Sequence, residues 1–404
     1  MRENRRMRRH IYAGDAIYYR RTLDLKELLN QGSHFSFGPR QCGKTALIRS
    51  ALLAEDEPSC VYLNLLDTDL QRRLMAQPSR LREYVDGAKT IVIDEIQKIP
   101  QLLDEVHNLI SSNGLTFLLT GSSARKLREN GVNLLGGRAW ESHLFPFTSD
   151  ELGEKFELER ALRFGTLPPV YLSPFPSKAL KAYVSTYLEQ EIRLEGLVRS
   201  LPSFSRFLEV AAHCHAQLIN YSKISNDCEF PKTTVQEYFQ ILRDTLIGSD
   251  LPVWGGSTTR KASKTSKFFF FDIGVVREIL DMNRTEIPIA NDSFAGISFE
   301  SIVYQELKAY SVYRGLPELC FFRTPSKLEV DFILNDNTAI EVKLSKSIVQ
   351  QDLKTLISLQ EDPAIKKTIV VCREPRPRRV SNVDVWPIGD FLRNLWADKI
   401  THAL

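Results

Sequence analysis

The sequence predicts an α/β protein of several domains: an N-terminal parallel sheet with flanking helices, a central helical part, and a C-terminal α/β core. Three stretches carry this expectation. "SHFSFGPRQCGKTALIRSALL" reads as strand, glycine-bounded loop and amphipathic helix; "KTIVIDEIQKIP" and "LTFLLTGSSARKL" read as buried strands; "LEVDFILNDNTAIEVKL" alternates apolar and charged residues around an Asn-Asp-Asn turn. At 404 residues the chain exceeds a single core and predicts roughly two to four domains.

Hydrophobic residues at 43% and charged residues at 25% describe an ordinary globular protein rather than a disordered or fibrous one. The net charge of +3 does not by itself argue for nucleic acid. Its distribution is more informative, because "MRENRRMRRH", "TTRKASKTSK" and "REPRPRRV" gather basic residues. No apolar run approaches the roughly 18 residues of a membrane span, and the Arg-rich start lacks a secretory h-region, so a cytoplasmic protein with no membrane partner is expected. Cys42, Cys60, Cys214, Cys228, Cys320 and Cys372 show no CxxC spacing, which suggests neither a zinc site nor a disulfide framework. In "HCH" at 213–215, adjacent helical side chains point about 100° apart and do not readily converge on a metal.

Residues 1–21 form a basic N-terminal segment, and 22–150 the first domain. Gly38, Pro39, Arg40, Gln41, Cys42, Gly43, Lys44 and Thr45 match GxxxxGK[ST], the pattern of a loop whose backbone N–H groups cradle phosphates at a helix N-terminus. In that pattern Lys44 reaches the β/γ oxygens of ATP and the Thr45 hydroxyl ligates Mg²⁺. About 50 residues later a strand ends in Asp94 and Glu95, suited respectively to holding Mg²⁺ and to polarising the attacking water. The next strand ends in Thr120, Gly121, Ser122 and Ser123, small residues placed where a γ-phosphate is sensed. Arg138 follows two glycines; it reads either as an arginine finger for a neighbouring subunit or as the partner of a carboxylate such as Glu141.

Residues 151–200 read as a lid and connecting helices, with Thr148 or Ser149 as the entering cap. Residues 201–267 place three helices in about 45 residues, the spacing of a winged helix. Ser222 is expected to cap the second helix and Pro231 to open the third. The third should bury Val235, Phe239 and Leu242 and show Lys232, Thr233 and Gln236 to duplex DNA, beside a basic wing of Arg260, Lys261, Lys264 and Lys267. The alternative is a winged helix used only for packing.

Residues 268–404 read as the last domain, and from Gly296 the order is helix, three strands, helix, strand. A three-residue loop at 335–337 pairs Leu334 with Thr338, sets Asp331 opposite Glu341, and sets Glu329 opposite Lys343. A solvated face with a Glu329–Lys343 ion pair is the plain reading. Like charges facing each other are destabilising, however, so a divalent cation between Asp331 and Glu341 is the sharper one.

"GPRQCGKT", "IVIDEIQ", "LTGSSA" and "GGR" together resemble prokaryotic AAA-type P-loop ATPases that carry a C-terminal domain of unknown function. The resemblance implies a five-stranded parallel sheet, ATP and Mg²⁺, and a homo-oligomer, hexameric or a related ring, in which Arg138 acts in trans. Cys42 departs from the usual loop residue, suggesting sensitivity to thiol modification. Glu300, Asp331 and the "EVK" of Glu341 to Lys343 resemble a PD-(D/E)XK nuclease core. That resemblance implies that Glu300, Asp331 and Glu341 gather Mg²⁺ or Mn²⁺, that Lys343 orients water, and that Arg323 and Lys327 hold a DNA backbone. The sequence thus reads as a DNA-associated ATPase coupled to a metal-dependent nuclease-like domain. A signalling or assembly switch, with that domain serving only for binding, is the alternative.

Overall fold

The structure, a computed structural model, describes residues 19–53, 59–123, 137–188, 201–257, 265–284 and 292–401. The N-terminal sheet is five-stranded and parallel, in the order β2 (Cys60–Asn64), β3 (Thr90–Asp94), β4 (Thr116–Gly121), β1 (Ser33–Phe37), β5 (Ala139–His143). Its apolar runs are continuous because both faces are covered. Phe35, Phe37, Ile91, Ile93, Phe117 and Leu119 pack toward α3 (Leu102–Asn113). Val92 and Leu118 pack on the other side against Leu25 of α1 (Leu25–Gln31) and Leu47 and Ile48 of α2 (Lys44–Ile48).

The chain leaves this sheet through α4 (Ser149–Leu152). Thr148 caps it and Glu151 returns the bond in a capping box. Beyond it lie α5 (Leu201–His213), β6 (Gln217–Leu218), α6 (Tyr221–Cys228), α7 (Lys232–Asp244), β7 (Gly248–Leu251) and β8 (Lys267–Phe270). The three strands form an antiparallel sheet in the order β6, β8, β7, so β8 runs across the expected 267/268 boundary. On α7, Val235, Phe239 and Leu242 are buried while Lys232, Thr233 and Gln236 are exposed, as the periodicity predicts. The cap of α6 is Asn220 rather than Ser222; its side-chain oxygen accepts from the Lys223 amide at 3.1 Å. Asp272 then caps α8 (Ile273–Ile279).

The C-terminal sheet is six-stranded and mixed, in the order β13 (Arg378–Val380), β14 (Val383–Pro387), β12 (Lys367–Cys372), β11 (Thr338–Val342), β10 (Glu329–Leu334), β9 (Cys320–Arg323). One face packs on α9 (Ala295–Tyr313) and α11 (Ile388–Trp396), the other on α10 (Lys354–Leu359). The β10–β11 register pairs Leu334 with Thr338 and Phe332 with Ile340, the pairing expected from the turn. The face that carries the charges is not solvated: Ile333 and Ala339 lie on it, buried under α10. A bulge between Val330 and Ile333, where β10 meets β9, also turns Val330 toward α10.

Candidate functional site

Lys44, Thr45, Asp94, Glu95, Thr120 and Ser122 come together at the C-terminal edge of the parallel sheet, where strand ends leave a crevice. The loop between β1 and α2 turns on Gly43, at φ 102°. A Cβ on Gly38 would collide with the Leu144 carbonyl, which accounts for glycine there. The buried Lys44 ammonium donates to the Gly38 and Pro39 carbonyls at 2.8 and 3.1 Å, so it lies folded over the loop. The Thr45 hydroxyl donates to Asp94 Oδ2 at 2.8 Å, and the Thr120 hydroxyl donates to Asp94 Oδ1. The Glu95 amide in turn donates to Thr120 Oγ1 at 3.3 Å. Thr45 and Asp94 thus offer adjoining hard oxygens, a donor set that fits Mg²⁺.

Several contributors were not legible in the sequence. The Tyr62 hydroxyl donates to Asp94 Oδ2 at 2.8 Å; burial and the Asp94 charge both push its pKa above the usual tyrosine range. Gln97 donates to the Glu95 carboxylate and to Ser122 Oγ. Arg21, expected to belong to a basic tail, is 7% exposed; it donates to the Cys42 and Phe145 carbonyls at 2.7 and 2.6 Å and pairs with Glu151 at 3.0 Å. The tail expectation fails here because the two carbonyls and the Glu151 carboxylate hold the guanidinium inside the protein, although its Nε has no hydrogen-bond partner. Tyr183 reaches the loop from the connecting helix, its hydroxyl donating to the Arg40 carbonyl at 3.4 Å. Cys42 is fully buried beside Gly38, and the expected thiol sensitivity is corrected accordingly: the sulfur has no solvent access.

Arg138 is exposed and lies away from this cluster. Ala139 pairs with Ser33 and His143 with Phe37, so Arg138 sits at the opposite edge of the sheet from its own phosphate loop, on the order of 17 Å along the strand. It is out of reach of the cis nucleotide.

The second cluster forms where α9, β8, β10 and β11 meet. Glu300 and Asp331 both approach one ammonium there, and the Asp331 charge acts on Glu341. Lys267, however, is not a wing cation: it is 4% exposed and its Nζ lies 2.8 Å from Glu329, 3.2 Å from Glu300 and 3.8 Å from Asp331. Arg260, Lys261 and Lys264 fall outside the described residues. Burial lowers the Lys267 pKa, but the charges of Glu300, Asp331 and Glu329 outweigh it and the net shift is upward. The expected Glu329–Lys343 pair is absent, because Glu329 bonds Arg323 and Lys267 while Lys343 pairs with Glu341 at 2.7 Å. Arg323 is therefore engaged within the sheet rather than turned to a DNA backbone. Asp331 Oδ2 accepts from the Val342 amide at 2.8 Å, whereas Glu341 Oε2 is buried with no hydrogen-bond partner. Burial and then the Asp331 charge raise the Glu341 and Glu300 pKa values. Among the described residues no group of three or more acidic, His or Cys side chains is arranged to hold a metal ion. The oxygens suit Mg²⁺ or Mn²⁺ in kind, but the Lys267 ammonium stands among them, so the arrangement does not fit a resident metal.

The two clusters are joined by α9. Six residues beyond Glu300, fully buried Glu306 accepts from the Ser149 amide and hydroxyl at 2.7 and 3.0 Å and from Trp396 Nε1 at 2.7 Å. One turn further, Tyr310 bonds Asp398, and at the helix end the Phe145 amide donates to Tyr313 Oη at 3.3 Å.

Residues 33–153 match the AAA domain family, 155–286 a domain of unknown function (DUF8612), and 295–391 a domain of unknown function (DUF4143). Uncharacterized proteins of Mycobacterium bovis and Mycobacterium tuberculosis are each 27% identical over 299 residues, covering 73% of this chain. The chain spans 65% of the length of those relatives. An uncharacterized protein of Haemophilus influenzae is 22% identical over 386 residues, covering 88% of this chain and 92% of its own. Among solved structures, AMPPCP-bound DnaA from Aquifex aeolicus matches 54% of this chain and 85% of its own at 14% identity with a TM-score of 0.28. The N-terminal part is thus an AAA-type P-loop domain, and no described helix is long and apolar enough to cross a membrane.

Proposed function

We propose that the protein is an Mg²⁺-dependent ATPase whose nucleotide state is passed to its C-terminal half, acting as a DNA-associated switch. The observation that carries this reading is the Thr45–Asp94–Thr120–Glu95 chain of contacts beside Lys44, on the loop side of the parallel sheet. In this reading Lys44 would leave the loop carbonyls for the β/γ-phosphates, and Thr45 and Asp94 would hold Mg²⁺, which when bound would supply positive charge against that developing on the phosphates. Glu95 polarises the water, with Gln97 fixing its carboxylate. Thr120 and Ser122 sense the γ-phosphate, and Arg138 serves the site of a neighbouring copy in a homo-oligomeric ring. A cytoplasmic location accords with this chemistry.

Transmission runs through Arg21, Glu151 and α9, since loop, capping box and helix are bonded in series. DNA contact is supported by the exposed Lys232, Thr233 and Gln236 on α7, in a helix and strand order compatible with a winged helix. The test is turnover with and without duplex DNA: the native chain should hydrolyse ATP faster with DNA, and Lys44→Ala should not hydrolyse it at all. Unchanged turnover in Lys44→Ala rejects the engine; turnover indifferent to DNA leaves a signalling switch with a protein partner.

A second reading, metal-dependent DNA cutting, is favoured by the convergence of Glu300, Asp331 and Glu341. It requires Lys267 to yield its place. Cleavage of labelled linear or branched DNA with Mg²⁺ or Mn²⁺ that disappears in Asp331→Ala selects it.

A further inference from the structure

We propose that Lys267 is the resident cation of the C-terminal acid cluster, filling with an ammonium the position that a divalent metal would take and so tying the central three-stranded sheet to the C-terminal sheet. Four observations carry this. Lys267 opens β8, the middle strand of the β6–β8–β7 sheet, yet its Nζ contacts carboxylates on α9 and β10. It is nearly inaccessible, and its ammonium also lies 5.4 Å from the centre of the Phe321 ring, so the side chain is held from several directions. The charges facing it are Glu300, Glu329 and Asp331, with Arg323 sharing Glu329 and Lys343 holding the outer oxygen of Glu341. Glu341, 8% exposed, keeps Oε2 buried with no hydrogen-bond partner, so the cluster has spare ligand capacity that a single positive charge does not use.

Physics favours this arrangement over an unfilled cluster. Buried carboxylates without a counter-charge are far costlier than a paired set. A lysine on a strand of the central sheet supplies the charge at no cost in lost ion entropy, and it cannot be removed by a chelator. The consequence is an exchange relation: ammonium and divalent cation compete for one position, and deleting the ammonium should open the cluster to the metal.

The inference is independent of the ATPase reading, and its test uses no nucleotide. Mn²⁺ uptake by the full chain is followed by loss of the free-ion electron paramagnetic resonance signal. The Lys267→Met chain should bind about one Mn²⁺ at least roughly tenfold more tightly than the native chain, and Asp331→Asn in that background should abolish the gain. Its melting temperature should fall in chelator and recover with Mn²⁺, whereas the native value should be the same in both. Uptake by the native chain that Glu300→Gln or Asp331→Asn removes overturns the proposal, as does a folded Lys267→Met chain that binds no Mn²⁺. If Lys267→Met does not fold, Lys267→Gln combined with Glu300→Gln removes one charge of each sign. Recovery of the fold in that double variant supports the ammonium's role; failure to recover it, with Mn²⁺ uptake by the native chain, counts against it.

Discussion

At the residue scale, Glu95 is defined by its backbone as much as by its charge. It sits at φ 64°, a left-handed conformation that a non-glycine residue adopts at a cost of about 1–3 kcal/mol. That turn takes the chain off the end of β3 and aims the carboxylate across the strand ends, where Gln97 bonds it. Neighbouring Asp94 is satisfied by Thr45, Thr120 and Tyr62, so the two acids, adjacent in sequence, hold different environments: one buried and fully bonded, the other presented toward the crevice. The roles therefore separate under substitution. Glu95→Gln should keep nucleotide affinity within a few-fold while turnover falls by about 10² to 10⁴, the usual worth of a positioned base. Equilibrium binding of a fluorescent nucleotide beside steady-state phosphate release checks this, and parallel losses in both would remove Glu95 from the chemistry.

At the scale of elements, α9 is the strut. A helix rises about 1.5 Å per residue, so Glu300 and Glu306 stand roughly 9 Å apart along one rigid rod, the first facing Lys267 and the second facing α4 and α11. Burial pushes the Glu306 pKa from 4.5 up to about 7, against the pull of its three donors. The folded state then holds this proton more tightly than the unfolded chain. Its contribution is complete below pH about 4.5, declines as pH rises toward 7, and changes no further above that. In urea titrations at pH 5 and pH 8 the native midpoint should drop further than that of Glu306→Gln, which cannot ionise. Equal drops would mean that Glu306 keeps one protonation state throughout. Elements were also the scale at which the sequence was most legible. The Asn-Asp-Asn turn places Asn335 and Asp336 at φ 52° and 56°, conformations these residues tolerate, and that local chemistry sets the register of β10 and β11. The bulge that turns Val330 under α10 left no such signature, because it depends on the partner strand β9.

At the scale of the whole molecule, legibility followed sequence distance. The phosphate loop, Asp94, Glu95 and Thr120 announce themselves because each lies at the end of an apolar run, and a parallel sheet gathers such ends at one edge. Arg21 and Lys267 were misread for the opposite reason: their partners lie up to 130 residues away, and a basic residue in a basic stretch shows nothing locally of the carboxylates it will meet. Arg138 belongs to this scale as well: it stands at the far edge of the sheet from its own loop, so the proposed arginine finger would have to serve another copy. In the proposed ring of identical subunits joined head to tail, each such edge would meet the next subunit's strand ends. Copies with Arg138→Ala retain an intact phosphate loop, and copies with Lys44→Ala retain an intact arginine. Each variant alone should be nearly inactive, with Arg138→Ala reduced by about 10³ to 10⁵ at unchanged nucleotide affinity. Mixed in equal amounts and allowed to reassemble, they should recover about a quarter of native turnover, because one interface in four joins a sound loop to a sound arginine. Recovery cannot come from either homogeneous population, so its absence in a mixture shown to co-assemble would return Arg138 to an ordinary surface charge.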